Sequence, residues 1–113
     1  MNKFLCTGNL CDEPKKRETN NGKAVANFSI AVSRPLSDET DFFNVTVGGN
    51  QAENCAKYLE KGSKVGIVGT LQNRSYEDKD GVKRFVTDVI ANEVEFLSPK
   101  QAKESVVFDI RTS

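Results

Sequence analysis

From Lys23 to Arg34 the chain alternates. Ala26, Phe28, Ile30 and Val32 fall on one side, and Asn27, Ser29, Ala31 and Ser33 fall on the other. A period of two with one apolar side predicts a half-buried strand. An earlier run, Asn2 to Leu10, sets Phe4, Cys6, Gly8 and Leu10 against Lys3, Leu5, Thr7 and Asn9. Between the two, "CDEPKKRETNNG" contains Pro14 and Asn21-Gly22 and predicts a long hairpin loop. A third run follows the loop "RPLSDET". There Phe43, Val45 and Val47 share a side, leaving Phe42, Asn44, Thr46 and Gly48 on the more polar one. Phe42 is therefore an aromatic ring on the polar side of its strand.

The period changes at residue 51. Ala52, Cys55, Ala56 and Leu59 recur at helical spacing, predicting a helix over 51–61, with Asn50 and Glu53 as N-cap and capping box and Gly62 as the left-handed closing residue. Lys64 to Tyr76 returns to strand, with Val65, Ile67, Gly69 and Leu71 inward and Thr70, Gln72, Arg74 and Tyr76 outward, unless a β-bulge at Gly69 flips that phase. "YEDKDGVKRF" is a second long hairpin connection turning at Asp80-Gly81, and the last run, Arg84 to Leu97, has no clean phase.

Strand, strand, strand, helix, strand, strand, with long loops after the first and fourth strands, predicts an all-β domain. It is the order of an OB-fold, a five-stranded Greek-key barrel with one short α-helix between strands 3 and 4. Such a barrel binds oligonucleotides on one sheet face and through those loops.

Composition narrows the chemistry. The 113 residues make one domain, and 16 basic against 16 acidic residues give zero net charge, so a polyanion would have to be held by locally sorted charge. Cys6, Cys11 and Cys55 are odd in number, far apart and unaccompanied by histidine, which predicts buried thiols in a reducing compartment rather than disulfides or zinc. No apolar run approaches the ~18 residues that span a bilayer, so a soluble cytoplasmic protein is expected, without a membrane partner. With no histidine, no metal-ligand cluster and no nucleophile or phosphate-binding motif, catalysis is not expected, and neither is a cofactor.

Gly48-Gly49-Asn50 ahead of the helix offers two readings, a phosphate cradle or a turn into an Asn50 cap; no lysine follows, which favours the turn. Phe42, Asn44, Arg74 and Tyr76, collected outward by the third and fourth runs, suit stacking of bases and contact with a backbone. For Phe42 the other readings are packing under "RPLSDET" or against a partner subunit. The clusters at Lys15 to Arg17 and Lys83 to Arg84 flank the long loops. They could grip an oligonucleotide or simply be solvated beside Asp12, Glu13, Glu18, Glu77, Asp78 and Asp80.

Taken together, "MNKFLCTGNLCDEP", "NGKAVANFSIAVSR", "QAENCAKYLEKGS", "GTLQNRSYEDKDGVKRF" and "TDVIANEVEFL" resemble, in order and spacing, the bacterial-type single-stranded DNA-binding proteins over residues 1–97. The resemblance implies an OB-fold that binds single-stranded DNA without sequence preference in replication, recombination and repair. It also implies a homo-oligomer, a tetramer or a dimer, associated with the bacterial nucleoid. An alternative is a primosome-type interaction module with weak DNA binding. By resemblance, Phe42 and Tyr76 stack bases, and Arg74, Arg84 and Lys61 lie along the DNA path. Asn44, Thr46 and Arg34 complete the expected nucleic-acid-binding set. The sequence departs from the family at Gly48, where an aromatic is common, and at Asn50, where lysine is frequent. It also ends in "SPKQAKESVVFDIRTS" rather than a flexible linker with an acidic, protein-recruiting tip. Residues 98–113, with "SVVFDIRT", are expected to be an extra strand or disordered.

Overall fold

The computed structural model describes residues 1–97. The expectations for 98–113 lie outside these residues. Six strands and one helix follow in the order β1 (Phe4–Leu10), β2 (Lys15–Glu18), β3 (Ala24–Ser33), β4 (Thr40–Gly48), α1 (Asn50–Tyr58), β5 (Lys64–Glu77) and β6 (Lys83–Phe96). The sheet runs β1-β5-β6-β4-β3-β2, and a further pairing of Asn9 and Leu10 with Ala31 and Ile30 joins β1 back to β3. Five strands thus close into the barrel of an OB-fold, with α1 between the third and fourth strands of that barrel.

The sixth strand corrects the reading of "CDEPKKRETNNG" as loop. Lys15 to Glu18 pair antiparallel with Asn27 to Ala24 on the outer edge of β3. Four residues without an apolar side carry no hydrophobic period, so the strand is visible only through the edge that β3 offers it.

The alternating sides close as patterned. Ala26, Phe28, Ile30, Val45, Val47, Val65, Ile67 and Val89 fill the core, and Ala52, Cys55 and Leu59 lay α1 against it. Phe4 and Phe43 cap one end with ring centroids 5.2 Å apart, edge to face.

The unphased last run has a structural cause. Val68 pairs with Glu93 and Gly69 with Ala91, so Asn92 is an extra residue on β6. β5 keeps its phase through the bulge while β6 changes sides: Val89 and Ala91 face inward before it, Val94 after it. A Cβ at Gly69 would sit 2.2 Å from the Ile90 carbonyl oxygen, so only glycine fits there. Gln51 of α1 stitches the bulge. Its Nε2 donates to the Asn92 carbonyl (2.7 Å), and its Oε1 accepts from the Val94 N–H (2.8 Å).

The helix boundaries also need correction. Asn50 is the first helical residue and not the cap; Gly49 occupies that position at φ 72°, with no side-chain cap. Glu53 turns instead to Lys16, whose Nζ donates to its Oε1 at 2.9 Å. The helix ends at Tyr58 with Leu59 extended, and Gly62, at φ 91°, belongs to the following turn. Of the thiols, only Cys55 is buried; Cys6 and Cys11 are half-exposed.

Candidate nucleic-acid interface

Cross-strand partners point the same way, so the register alone defines the outer face. Phe42 stands opposite Ala31, Asn44 opposite Ser29, and Thr46 opposite Asn27. On the other side of β4, Asn44 and Thr46 align with Asp88 and Ile90 of β6. Beyond β6, Asp88 faces Gln72, Val86 faces Arg74, and Arg84 faces Tyr76. Phe42, Asn44, Thr46, Arg74, Tyr76 and Arg84 therefore share one continuous face across β4, β6 and β5. Its two rings are open to solvent, Phe42 at 67% and Tyr76 at 47% of full exposure.

The face continues onto β2. Lys15 pairs with Asn27 and Arg17 with Val25, both outer-face positions, whereas Lys16 pairs with the inward Ala26 and reaches Glu53 of α1. Strand formation thus splits "KKR" into two cations on the outer face and one that buttresses the helix. The sequence leaves the cluster between an oligonucleotide grip and solvated charge; nothing short of the β3 edge could sort its three residues. A shallow groove of about 270 Å³ bordered by Cys11, Asp12, Glu13, Lys15, Ser29 and Asn44 opens on the same side.

Two expected residues stand elsewhere. Arg34 reaches Asp41, which pairs with inward-phased Val32, so it lies on the opposite side of the β3–β4 ribbon from Phe42. Its Nε and Nη2 donate to the two Asp41 oxygens at 3.0 and 2.9 Å, and its Nη1 donates to Glu39 at 2.6 Å. The Arg34 guanidinium holds the Asp41 carboxyl below the usual carboxylate range. Lys61 is in the turn after α1, where its backbone N–H donates to Glu13 Oε2 (3.4 Å), beside the groove rather than on a strand.

The face polar groups are oriented. Ser29 Oγ donates to Asn44 Oδ1 (3.0 Å), and Asn27 Nδ2 donates to Thr46 Oγ1 (2.8 Å). Arg74 Nε donates to Asp88 Oδ2 (2.5 Å), and Arg84 Nε donates to Asp78 Oδ2 (2.9 Å). The N–H of Val82, and after it the Arg84 side chain, keep Asp78 below its ordinary carboxylate value. Asp78 is therefore ionised at neutral pH.

The glycine pair makes no phosphate cradle. The Gly49 N–H is already donated to the Ala24 carbonyl (2.9 Å), and the Gly49 carbonyl accepts from Ala52 and Glu53 to start α1. Gly48 pairs with Val25 on the outer face, and a Cβ there would meet only the Ala24 carbonyl oxygen at 3.7 Å, so a side chain fits.

Two exposed apolar residues escaped the sequence reading. Phe85 is 74% exposed on the reverse of the β5–β6 hairpin, opposite Ser75, with Lys83 Nζ 5.6 Å from its ring centre. Leu36 tips the β3–β4 loop at φ 63°, a left-handed conformation costly for a branched side chain. Phe85 carried a usable signal, being an aromatic beside Arg84 in a run with no clean phase. Among the described residues no group of histidine, cysteine or carboxylates could hold a metal ion, and no helix is long and apolar enough to cross a membrane.

Residues 1–97 match the model of the single-strand binding protein family. The chain is similar to the single-stranded DNA-binding protein of Halalkalibacterium halodurans, 47% identical over 105 residues, which are 88% of this chain and 62% of that protein. Similarity to single-stranded DNA-binding protein 2 of Staphylococcus aureus (strain Mu50) is 46%, over 88% of this chain and 74% of that one. For the Bacillus cereus single-stranded DNA-binding protein it is 45%, over 88% and 62%. The chain thus spans less than two thirds of the length of two of these relatives. A matched region that covers every strand of the barrel, together with a continuous face of open rings and cations, makes this chain a member of the single-strand binding protein family.

Proposed function

We propose that this protein binds single-stranded DNA without sequence preference, in replication, recombination and repair, by stacking bases on Phe42 and Tyr76 and pairing phosphates with cations around them. The observation that carries the reading is the register, which aligns both open rings with Arg74, Arg84, Lys15 and Arg17 on one outer face. Stacking accepts every base because each has a π-face, at about 1–3 kcal/mol per base. Asn44 and Thr46 line the path between the rings, Lys61 adds charge beside the groove, and Arg34 acts from the far side of its ribbon. A homo-oligomer, tetramer or dimer, working in the bacterial cytoplasm with the nucleoid fits the family and the outward Leu5 on β1.

Titration of labelled oligo-dT at low and high salt tests this. Saturable binding that weakens steeply with salt is expected, with about a tenfold or greater loss in each of Phe42→Ala and Tyr76→Ala. Absence of saturable binding at micromolar protein would overturn it in favour of the second reading, a primosome-type interaction module. That reading draws on Gly48, where no ring stands, and on the arginines already satisfied by carboxylates. Gly48→Phe restores a platform in line with Phe42. A gain of roughly tenfold in oligo-dT affinity is expected from it; no gain would show that the path does not cross the end of β4.

A further inference from the structure

A carboxylate stands in the middle of a face assigned to a polyanion. Asp88 of β6 lies between Asn44 of β4 and Gln72 of β5, its side chain only 15% exposed, and it holds Arg74 through Nε. At the hairpin end the same arrangement recurs, with Asp78 holding Arg84. On β2, by contrast, Arg17 Nε donates to the neutral Asn27 Oδ1 (3.3 Å) and forms no ion pair among the described residues. The outer face thus has one flank where a cation meets a neutral group and one whose two arginines are matched by two aspartates.

We propose that Asp88 is a built-in competitor for DNA phosphate, one that occupies Arg74 in the free protein and holds affinity for single-stranded DNA below what the face would otherwise reach. The inference rests on the DNA-binding reading above. A phosphate that takes the exposed Nη groups of Arg74 meets a carboxylate of like charge already held on Nε. That carboxylate has no second cation within reach among the described residues: its cross-strand neighbours Asn44 and Gln72 are neutral, as are Val86 and Ile90 on its own side of β6. It therefore stays beside the phosphate and repels it. Two unit charges a few ångströms apart near a protein surface interact strongly enough to move an equilibrium severalfold, and salt erases the effect as the screening length shortens. Phosphate binding at Arg74 consequently costs more than it would beside a neutral group.

The test is an oligo-dT titration of the full chain with Asp88→Asn, which keeps the shape and removes the charge. Wild-type binding in the same series checks the function itself. If wild type and variant both fail to bind, the DNA-binding reading falls and this inference falls with it. If wild type binds, Asp88→Asn is expected to bind about five- to tenfold more tightly at low salt, with the gain fading towards parity near 1 M salt. In an Arg74→Ala background the gain should shrink to less than half, because no cation is left there to draw a phosphate beside the carboxylate. A tighter complex cannot come from partial unfolding, and Asp88→Ser serves as a second variant should the amide disturb the strand. Unchanged or weaker binding by variants that melt as wild type does would overturn the proposal, and weaker binding would make Asp88 a positioning residue for Arg74.

Discussion

β5 and β6 each lead two lives. From Val65 to Gly69, β5 is a barrel stave, paired with β1 on one side and β6 on the other, with Val65 and Ile67 sealed in the core. From Gln72 to Glu77 it has β6 alone, and every residue is exposed. The two halves share a ladder and differ in what lies behind it. Hydrogen bonds alone are nearly neutral against water, so the barrel half draws its stability from apolar burial. The hairpin half has little to lose, and there Tyr76 and Phe85 stand open to solvent.

Three substitutions probe how sharp the division is. Ile67→Ala removes a side chain that is 1% exposed and should cost about 2–5 kcal/mol in urea unfolding; a cost below 1 kcal/mol would mean the barrel half is no better supported than the hairpin. Cys55 probes the same interior by pH. Burial pushes its thiol up to about 11 from an ordinary 9.0. Below pH 9 both folded and unfolded thiols are neutral and stability is intact. Above it the unfolded chain ionises first, so stability falls progressively until about pH 11, by on the order of 2 kcal/mol. Urea midpoints at pH 7.5 and pH 10.5 should therefore diverge more in wild type than in Cys55→Ala, and equal divergence would place the thiol in contact with water. Phe85→Ala, in the hairpin half, should change stability by no more than about 0.5 kcal/mol, where a core phenylalanine would cost 3–5. A larger loss would show that the ring packs on something, and oligomeric state measured by light scattering would say whether that is another copy.

The same division governed what could be read from sequence. Where one side of a strand is sealed, alternation is forced, and Ala26 to Val32, Phe43 to Val47 and Val65 to Ile67 face as their pattern predicts. The outer face was legible by subtraction, which is how Phe42, Asn44, Arg74 and Tyr76 came together. β2 was not, because an edge strand of charged residues forms on a neighbour and not on its own period. The phase of β6 was hidden by one extra residue, Asn92, whose placement depends on Gln51 in a distant helix. Arg34 follows the even phase of β3, so the alternation that seals Ala26 to Val32 also turns it away from Phe42 and towards Asp41. Ion pairing by Asp88 and Asp78 is invisible to pattern, since each carboxylate is 14 or 6 residues from its arginine.

The double attachment of β1 has a consequence for how the chain acquires its shape. Phe4 to Asn9 find their main partners only in Lys64 to Gly69. At ribosomal rates of about 5–20 residues per second, roughly 3–11 s pass between the emergence of the first strand and that of its mate. The β3–β4 ribbon is local and can form meanwhile, but the ring cannot shut. For those seconds Phe4 and Leu10 have no closed interior to enter, and the youngest form of the protein is an open sheet whose first strand can reach it only through Asn9 and Leu10.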